Sequence, residues 1–205
     1  MTDQDVEVIE RTSPYRGYAR VDVYRLRHQV FDQGWSDEIT REVLERGHAA
    51  AVLPYDPVLD AVVLIEQFRI GAYAAPDAPV WQIECVAGII DPGQTPEGTA
   101  IRELHEEAGL NIQGIEPVFT YLSSPGVTSE TIHLFVARVD AEGAGGIHGL
   151  AHEHEFIRVL ARPAEEAFEM VARGEIGNGM TLIALQWLRI NRERLRAEWL
   201  GEAPE

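Results

Sequence analysis

Residues 15–31, YRGYARVDVYRLRHQVF, partly alternate polar and apolar positions, the two-residue period of a half-buried strand. The following stretch, WSDEITREVLERGHA, gathers charge on Glu38, Arg41, Glu42, Glu45 and Arg46. HAAAVLPYDPVLDAVVLIEQFRIGAY then predicts a strand, a Pro/Asp turn and a second, β-branched strand. A further short strand is expected over 81–86, ending against Gly88, with two more in PVFTYLSS and TIHLFVARV and another over 156–161. Three helices are predicted. The central one takes Thr95 as N-cap and Pro96 as its first residue, and stops before Gly109, which suits a left-handed terminator. PAEEAFEMVARG has Pro163 near its start, early glutamates and Gly174 at its end. The last begins near Met180 and is amphipathic, with arginines in its later turns. The result is a mixed, largely antiparallel sheet with helices packed on it, an α+β fold.

The 205 residues suffice for one sizeable domain or a domain with a small appendage. With 45% hydrophobic and 25% charged residues, a folded chain is expected rather than a disordered one. The formal charge of −17 argues against nucleic acid as a partner, because a phosphate backbone would be repelled. A local basic pocket for a phosphorylated small molecule remains compatible with it, and all 17 basic residues are arginine. The single cysteine, Cys85, precludes an intrachain disulfide and fits a reducing compartment; among apolar neighbours it reads as a core residue rather than a nucleophile. The acidic start MTDQDVEVIE lacks the basic and apolar segments of a signal peptide, and no apolar run approaches a membrane span. A cytoplasmic protein with no membrane partner is expected.

The central helix carries the chemistry. Positions i, i+3 and i+4 share one helical face, so Glu103, Glu106 and Glu107 form an acidic stripe directly after Arg102. Like charges at this spacing cost a few tenths of a kcal/mol per pair, and the C-terminal end of a helix disfavours anions. A hard divalent cation removes that penalty, since Mg²⁺ seeks carboxylate oxygens and substrate phosphates together. Alone, such a stripe is more often a solvated acidic face; what changes the reading is its context, a capped helix start, a Gly-Ile-Ile-Asp-Pro-Gly turn and a closing Gly-Leu.

The stretch resembles the Nudix box. Gly88, Arg102, Glu103, Leu104, Glu106, Glu107, Gly109 and Leu110 stand at the box spacing, while Gln94 occupies the place of the first Glu. In that family the first Glu pairs with the box arginine. The resemblance therefore implies that Gln94 accepts a hydrogen bond from Arg102 without charge assistance, a loss of roughly 1 kcal/mol. It further implies a Nudix fold, a mixed β-sheet sandwiched between α-helices, with an N-terminal antiparallel β-region. Residues 1–47 would then be a dimerisation and substrate-binding region, and 48–205 the hydrolase domain.

Over nearly the whole chain the likeness narrows to the ADP-ribose pyrophosphatases. YRGYARVDVYRLRHQVF and REVLERGHAA resemble that group's N-terminal region, and LIEQFRIGAY its phosphate-contacting strand. SSPGVTSE places Pro125 at a spacing from the box associated with ADP-ribose specificity, and GIHGLAHEHEFIRV resembles the mobile loop that delivers a catalytic glutamate. The resemblance implies hydrolysis of ADP-ribose to AMP and ribose 5-phosphate. Glu153 would be the base, and Glu103, Glu107, Glu155, the Ala87 carbonyl and Glu106 through water would hold two or more Mg²⁺ or Mn²⁺ ions. Arg69 is a natural bidentate phosphate contact. Tyr18, Arg41, Glu42, Arg46, Ser124, Pro125, Gly126 and Glu130 would bind the rest of a nucleotide-sugar substrate, in a homodimer formed by exchanged N-terminal strands. The His152-Glu153-His154-Glu155 run does not make a zinc site, because alternate residues of an extended chain diverge and no second His or Cys pair completes a tetrahedron. Two other readings compete: hydrolysis of another nucleotide sugar such as GDP-mannose, and a non-catalytic module that senses ADP-ribose. No EF-hand loop pattern supports a calcium module.

Overall fold

The computed structural model describes residues 5–150, 152 and 154–201. The chain forms two compact units, Met1–His48 with Tyr121–Thr131, and Ala49–Thr120 with Ile132–Glu205.

In the first unit, β1 (Val6–Arg16), β2 (Arg20–His28) and β3 (Ile39–Glu45) make an antiparallel sheet in the order β1-β2-β3. The alternation over 15–31 thus corresponds mainly to β2. β3 lies in the charge-rich stretch, where alternation is masked by charged residues on a largely exposed strand. The sheet keeps one fully buried acid, Asp22, which accepts hydrogen bonds from Ser13, Arg11 and Arg20. These partners, Ser13 and Arg11 foremost, hold its carboxyl well below the usual range.

The larger unit is built on β4 (Ala49–Asp56) and β5 (Ala61–Phe68). It also contains β6 (Trp81–Glu84), β7 (Val86–Ile89), β9 (Thr131–Arg138), β10 (Ile147–His148) and β11 (Ile157–Pro163), with β8 (Gly114–Leu122) at one end. The sheet order is β10-β11-β5-β4-β9-β8, with β4 parallel to β9 and antiparallel to β5. The chain pattern expected one strand over 81–86, and the structure has two. β4 and β5 pair only at Tyr55↔Val62 and Asp56↔Ala61, then diverge, leaving each an open edge. β6 fills the edge of β5 and β7 that of β4, with Cys85 at the crossover. Pro54 sits between the β5- and β7-paired parts of β4, where its missing N–H forfeits no ladder bond on that edge.

Among the described residues, four helices complete the unit: α1 (Ile70–Ala74), α2 (Pro96–Ala108), α3 (Ala164–Ala172) and α4 (Gly179–Leu200). α2 turns Ala100, Leu104 and Ala108, at four-residue spacing, into a core with Ala50, Val52, Val63, Ile65, Val86 and Phe135. From β4, Tyr55 instead reaches Asp60, and its ring lies 6.3 Å from that of Trp199 in α4. Helices therefore cover both faces of the mixed sheet, which explains why all of β4 is buried. Truncating the fully buried Leu104 in such a core typically costs about 2–5 kcal/mol. Among the described residues, no helix is long and apolar enough to cross a membrane.

Candidate active site

The N-terminus of α2 is capped as its sequence expects: Thr95 Oγ1 accepts from Gly98 N at 3.1 Å, and Pro96 opens the helix. Gly109 closes it at φ 66°, its N–H bonded to His105 O. The core-facing stripe draws Glu107 inward with Leu104 and Ala108, leaving it 4% exposed. Glu107 Oε2 accepts from Ala87 N in β7 at 3.2 Å. Burial, followed by repulsion from Glu103 and Glu155, pushes its pKa up to about 8, against the pull of the Ala87 N–H and Arg69. Burial also raises the Glu103 carboxyl, with Arg102 opposing and Glu106 and Glu155 adding to the rise.

Gly88 makes room for this arrangement. A Cβ there would lie 1.7 Å from Glu103 Oε1 and 2.1 Å from its Cδ, so only glycine lets the carboxylate lie across β7. Arg102 binds forward along the helix, Nη2 at 2.8 Å from Glu103 Oε1 and Nη1 at 2.8 Å from Glu106 Oε2. The bond expected from Arg102 to Gln94 is not formed. Gln94 Oε1 accepts from Thr99 Oγ1 at 3.0 Å, and among the described residues the buried Arg102 Nε has no hydrogen-bond partner. Two ionised carboxylates outcompete a neutral amide for the guanidinium.

Glu155 joins from another element. β10 leads into a turn fastened to the end of α2: Gly149 N donates to Glu106 O at 3.3 Å, one of the carbonyls a helix terminus leaves free. The His148 ring packs so closely on Gly109 that a Cβ there would come within 2.7 Å of its Cε1. Glu155 N donates to Leu150 O at 3.3 Å, and the Glu155 carboxylate acts on both Glu103 and Glu107. Glu153, the base expected from the sequence, lies outside the described residues. His152 and His154 are exposed. Among the described residues, no three His, Cys, Asp or Glu side chains are grouped as a ready metal cage. The donor set itself, hard carboxylate oxygens crowded enough to raise Glu107, fits a hard divalent cation.

Arg69 stands at the junction of β5 and α1, its backbone N–H bonded to Val80 O at 2.9 Å. Its Nε and Nη2 donate to one oxygen of Glu84, at 3.0 and 2.7 Å. Partial burial works against its charge, but Glu84, then Glu107 and Glu155, hold its pKa above the ordinary value. Sequence reasoning found Arg69 and missed Glu84, which is 2% exposed at the end of β6. The available signal was a lone acid in the apolar run WQIECVAG, together with the helix-capping pattern Asn178-Gly-Met-Thr181. Cys85, 1% exposed with its thiol pushed up to about 12 by burial, remains protonated in the core.

The other predicted contacts belong to the N-terminal unit. Tyr18, 89% exposed, lies in the β1–β2 turn; Arg41 and Glu42 lie on β3, and Arg41 Nη1 donates to Thr40 O at 2.8 Å. Arg46 Nε and Glu130 Oε1 form an ion pair at 3.2 Å. The turn with Ser124, Pro125 and Gly126 is joined to β3, Leu44 N donating to Val127 O and Thr128 Oγ1 to Leu44 O, both at 2.8 Å. The structure thus brings Arg46 and Glu130 into contact and ties the Ser124–Gly126 turn to the strand that carries Arg41 and Glu42.

Known proteins resemble this chain over most of its length. The chain is 50% identical over 195 residues, 95% of its length and 93% of the relative's, to a protein of Escherichia coli strain K12 named ADP-ribose pyrophosphatase. A Haemophilus influenzae protein of the same name is 40% identical over 200 residues, 97% of this chain and 92% of its own. A GDP-mannose pyrophosphatase of Cronobacter sakazakii is 39% identical over 154 residues, 73% of this chain and 78% of its own. Among solved structures, one described as an ADP compounds hydrolase superposes with a TM-score of 0.72, covering 98% of both chains at 19% identity, a likeness of fold. The NUDIX domain profile matches residues 45–192, a span that includes every carboxylate of the α2 cluster as well as Arg69 and Glu155. The chain belongs to the Nudix hydrolase family.

Proposed function

We propose that this chain hydrolyses the diphosphate bond of ADP-ribose, giving AMP and ribose 5-phosphate. The observation that carries the reading is the buried Glu107, crowded by Glu103 and Glu155 and drawn on by Arg69. Its occurrence in a chain half identical to an enzyme named ADP-ribose pyrophosphatase supports the choice of substrate. Glu103, Glu107, Glu155 and the Ala87 carbonyl, with Glu106 through water, would hold Mg²⁺ or Mn²⁺, two or more ions per site. Such ions neutralise nonbridging phosphate oxygens and acidify water.

The protein's own groups have separate tasks. Arg69 holds phosphate oxygens through the N–H groups that Glu84 leaves available. Glu153 accepts the proton of the attacking water, whose oxygen bonds to phosphorus as the bridging P–O bond breaks. Tyr18, Arg41, Glu42, Arg46, Ser124, Pro125, Gly126 and Glu130 hold the nucleoside and the terminal ribose. The working form is a cytoplasmic homodimer with exchanged N-terminal strands, consistent with a single buried cysteine and with exposed Val6, Val8, Ile9 and Tyr15 on β1. The N-terminal domain is taken as 1–47 and the hydrolase domain as 48–205.

A second reading, cleavage of GDP-mannose, is favoured by relatives of that name, the Cronobacter protein among them, which are less similar and cover less of the chain. Measuring kcat/KM across a panel of nucleotide sugars separates the two. ADP-ribose should exceed GDP-mannose by at least ~10-fold, and the opposite order would assign the other substrate. Sedimentation of the pure protein should give a dimer; a monomer would remove strand exchange from the proposal.

A further inference from the structure

Glu84 carries a full carboxylate into a nearly dry site, which is costly unless every lone pair is used. Among the described residues, all of its hydrogen-bond partners donate. Oε2 takes Arg69 Nε at 3.0 Å, Arg69 Nη2 at 2.7 Å and Gln67 Nε2 at 3.3 Å; Oε1 takes Asn178 Nδ2 at 3.0 Å. Asn178 cannot turn its amide round, because its Oδ1 already caps α4, accepting from Thr181 N at 3.0 Å and Thr181 Oγ1 at 3.1 Å. Thr181 Oγ1 in turn accepts from Cys85 N at 2.8 Å, beside Glu84. Glu84 is therefore oriented from the N-terminus of α4 on one side and holds Arg69 on the other.

The buried carboxylate takes one edge of the guanidinium and leaves the other edge available, since arginine offers five N–H donors in a fixed fork. Glu107 and Glu155 also attract Arg69. Without a stronger hold, the arginine would fold onto them and occupy the carboxylates meant for a cation. We propose that Glu84, fixed by Asn178, is a positioning residue that holds Arg69 away from Glu107 and Glu155 and presents its free edge to a substrate phosphate. This rests on the reading of Arg69 as a phosphate contact in a nucleotide-sugar hydrolase.

The test is Glu84→Gln, which keeps the shape but turns an NH₂ group toward groups that donate. In the wild type, turnover of ADP-ribose checks the substrate reading. The variants are then compared by KM, kcat, half-saturating Mg²⁺ and equilibrium affinity for ADP-ribose with metal chelated. Glu84→Gln should raise KM and weaken the chelated affinity by roughly 10-fold or more, as loss of a charged hydrogen bond predicts, with a smaller change in kcat. Half-saturating Mg²⁺ should rise as well. In an Arg69→Ala background the same substitution should add little, because its effect passes through Arg69. Should Glu84→Gln fail to fold, Asn178→Ser preserves a good N-cap while removing the donor to Glu84. It should raise KM several-fold in a protein that still folds, its melting temperature lowered by the Glu84 oxygen left unpaired. A folded Glu84→Gln or Asn178→Ser with wild-type KM and affinity would overturn the proposal, as would full additivity with Arg69→Ala. A wild type inert toward ADP-ribose would overturn the substrate reading instead, and the chelated affinities would still judge Glu84.

Discussion

Glu107 is where folding and activity pull in opposite directions. Glu107→Gln keeps its shape and removes a charge that burial and Glu103 oppose. Turnover should fall at least ~100-fold, as expected when several kcal/mol of transition-state charge stabilisation is lost. The melting temperature of the metal-free protein should hold or rise, and near-wild-type turnover would remove Glu107 from the metal site. The same residue sets a pH dependence. The folded state keeps its proton to about 8, whereas the unfolded chain releases it near the ordinary value of 4.5. Between these values the folded state binds more protons, so metal-free stability should fall as pH rises through the window and level off above it. Glu107→Gln should flatten that slope; a slope of the same size in the variant would place its origin elsewhere. Glu153 and Glu155 are separated by rescue. Glu153→Gln should lower kcat by roughly 100- to 10,000-fold and resist added metal, while the loss in Glu155→Gln should be partly restored by it. A reversed pattern would exchange their roles. At this scale the acidic stripe was legible because helical spacing alone puts Glu103, Glu106 and Glu107 together. Glu84 was not, because its partners Gln67 and Asn178 lie 17 and 94 residues away in the chain, and no local period connects them.

Among the elements, α2 and the β6–β7 crossover position the chemistry. Thr95, Pro96 and Gly109 announced the helix ends because capping is a local affair, decided by residues within one turn. The break at Cys85 was hidden, since it depends on β4 and β5 diverging, and a pairing between distant strands leaves no mark in WQIECVAGI. β3 escaped notice for a related reason: on a mostly exposed strand, charge takes the place of alternation. The close approach of α2 to β7 can be probed at Gly88. Its φ is not in the left-handed region, so alanine is acceptable to the backbone, but the added Cβ would collide with the Glu103 carboxylate. Gly88→Ala should displace that side chain and reduce kcat by at least ~10-fold, with circular dichroism unchanged. Full activity would mean that Glu103 has no need to lie across β7.

For the molecule as a whole, a charge of −17 on a chain that must gather a diphosphate makes the few placed arginines and the cation site decisive. The fold class and the family signature were visible in the sequence, the first through helix caps and strand patterns and the second through the spacing from Gly88 to Leu110. The grouping of Tyr121–Thr131 with the N-terminal strands was not, because it rests on bonds such as Leu44 N to Val127 O that join segments far apart in the chain. The central claim is that this acidic protein cleaves ADP-ribose through a divalent cation held on α2. The most direct measurement incubates the pure protein with ADP-ribose, with Mg²⁺ and with a chelator in parallel, and identifies the products. Equal amounts of AMP and ribose 5-phosphate with Mg²⁺, and neither with the chelator, is the predicted result; intact ADP-ribose in both, or cleavage that ignores the chelator, would contradict it.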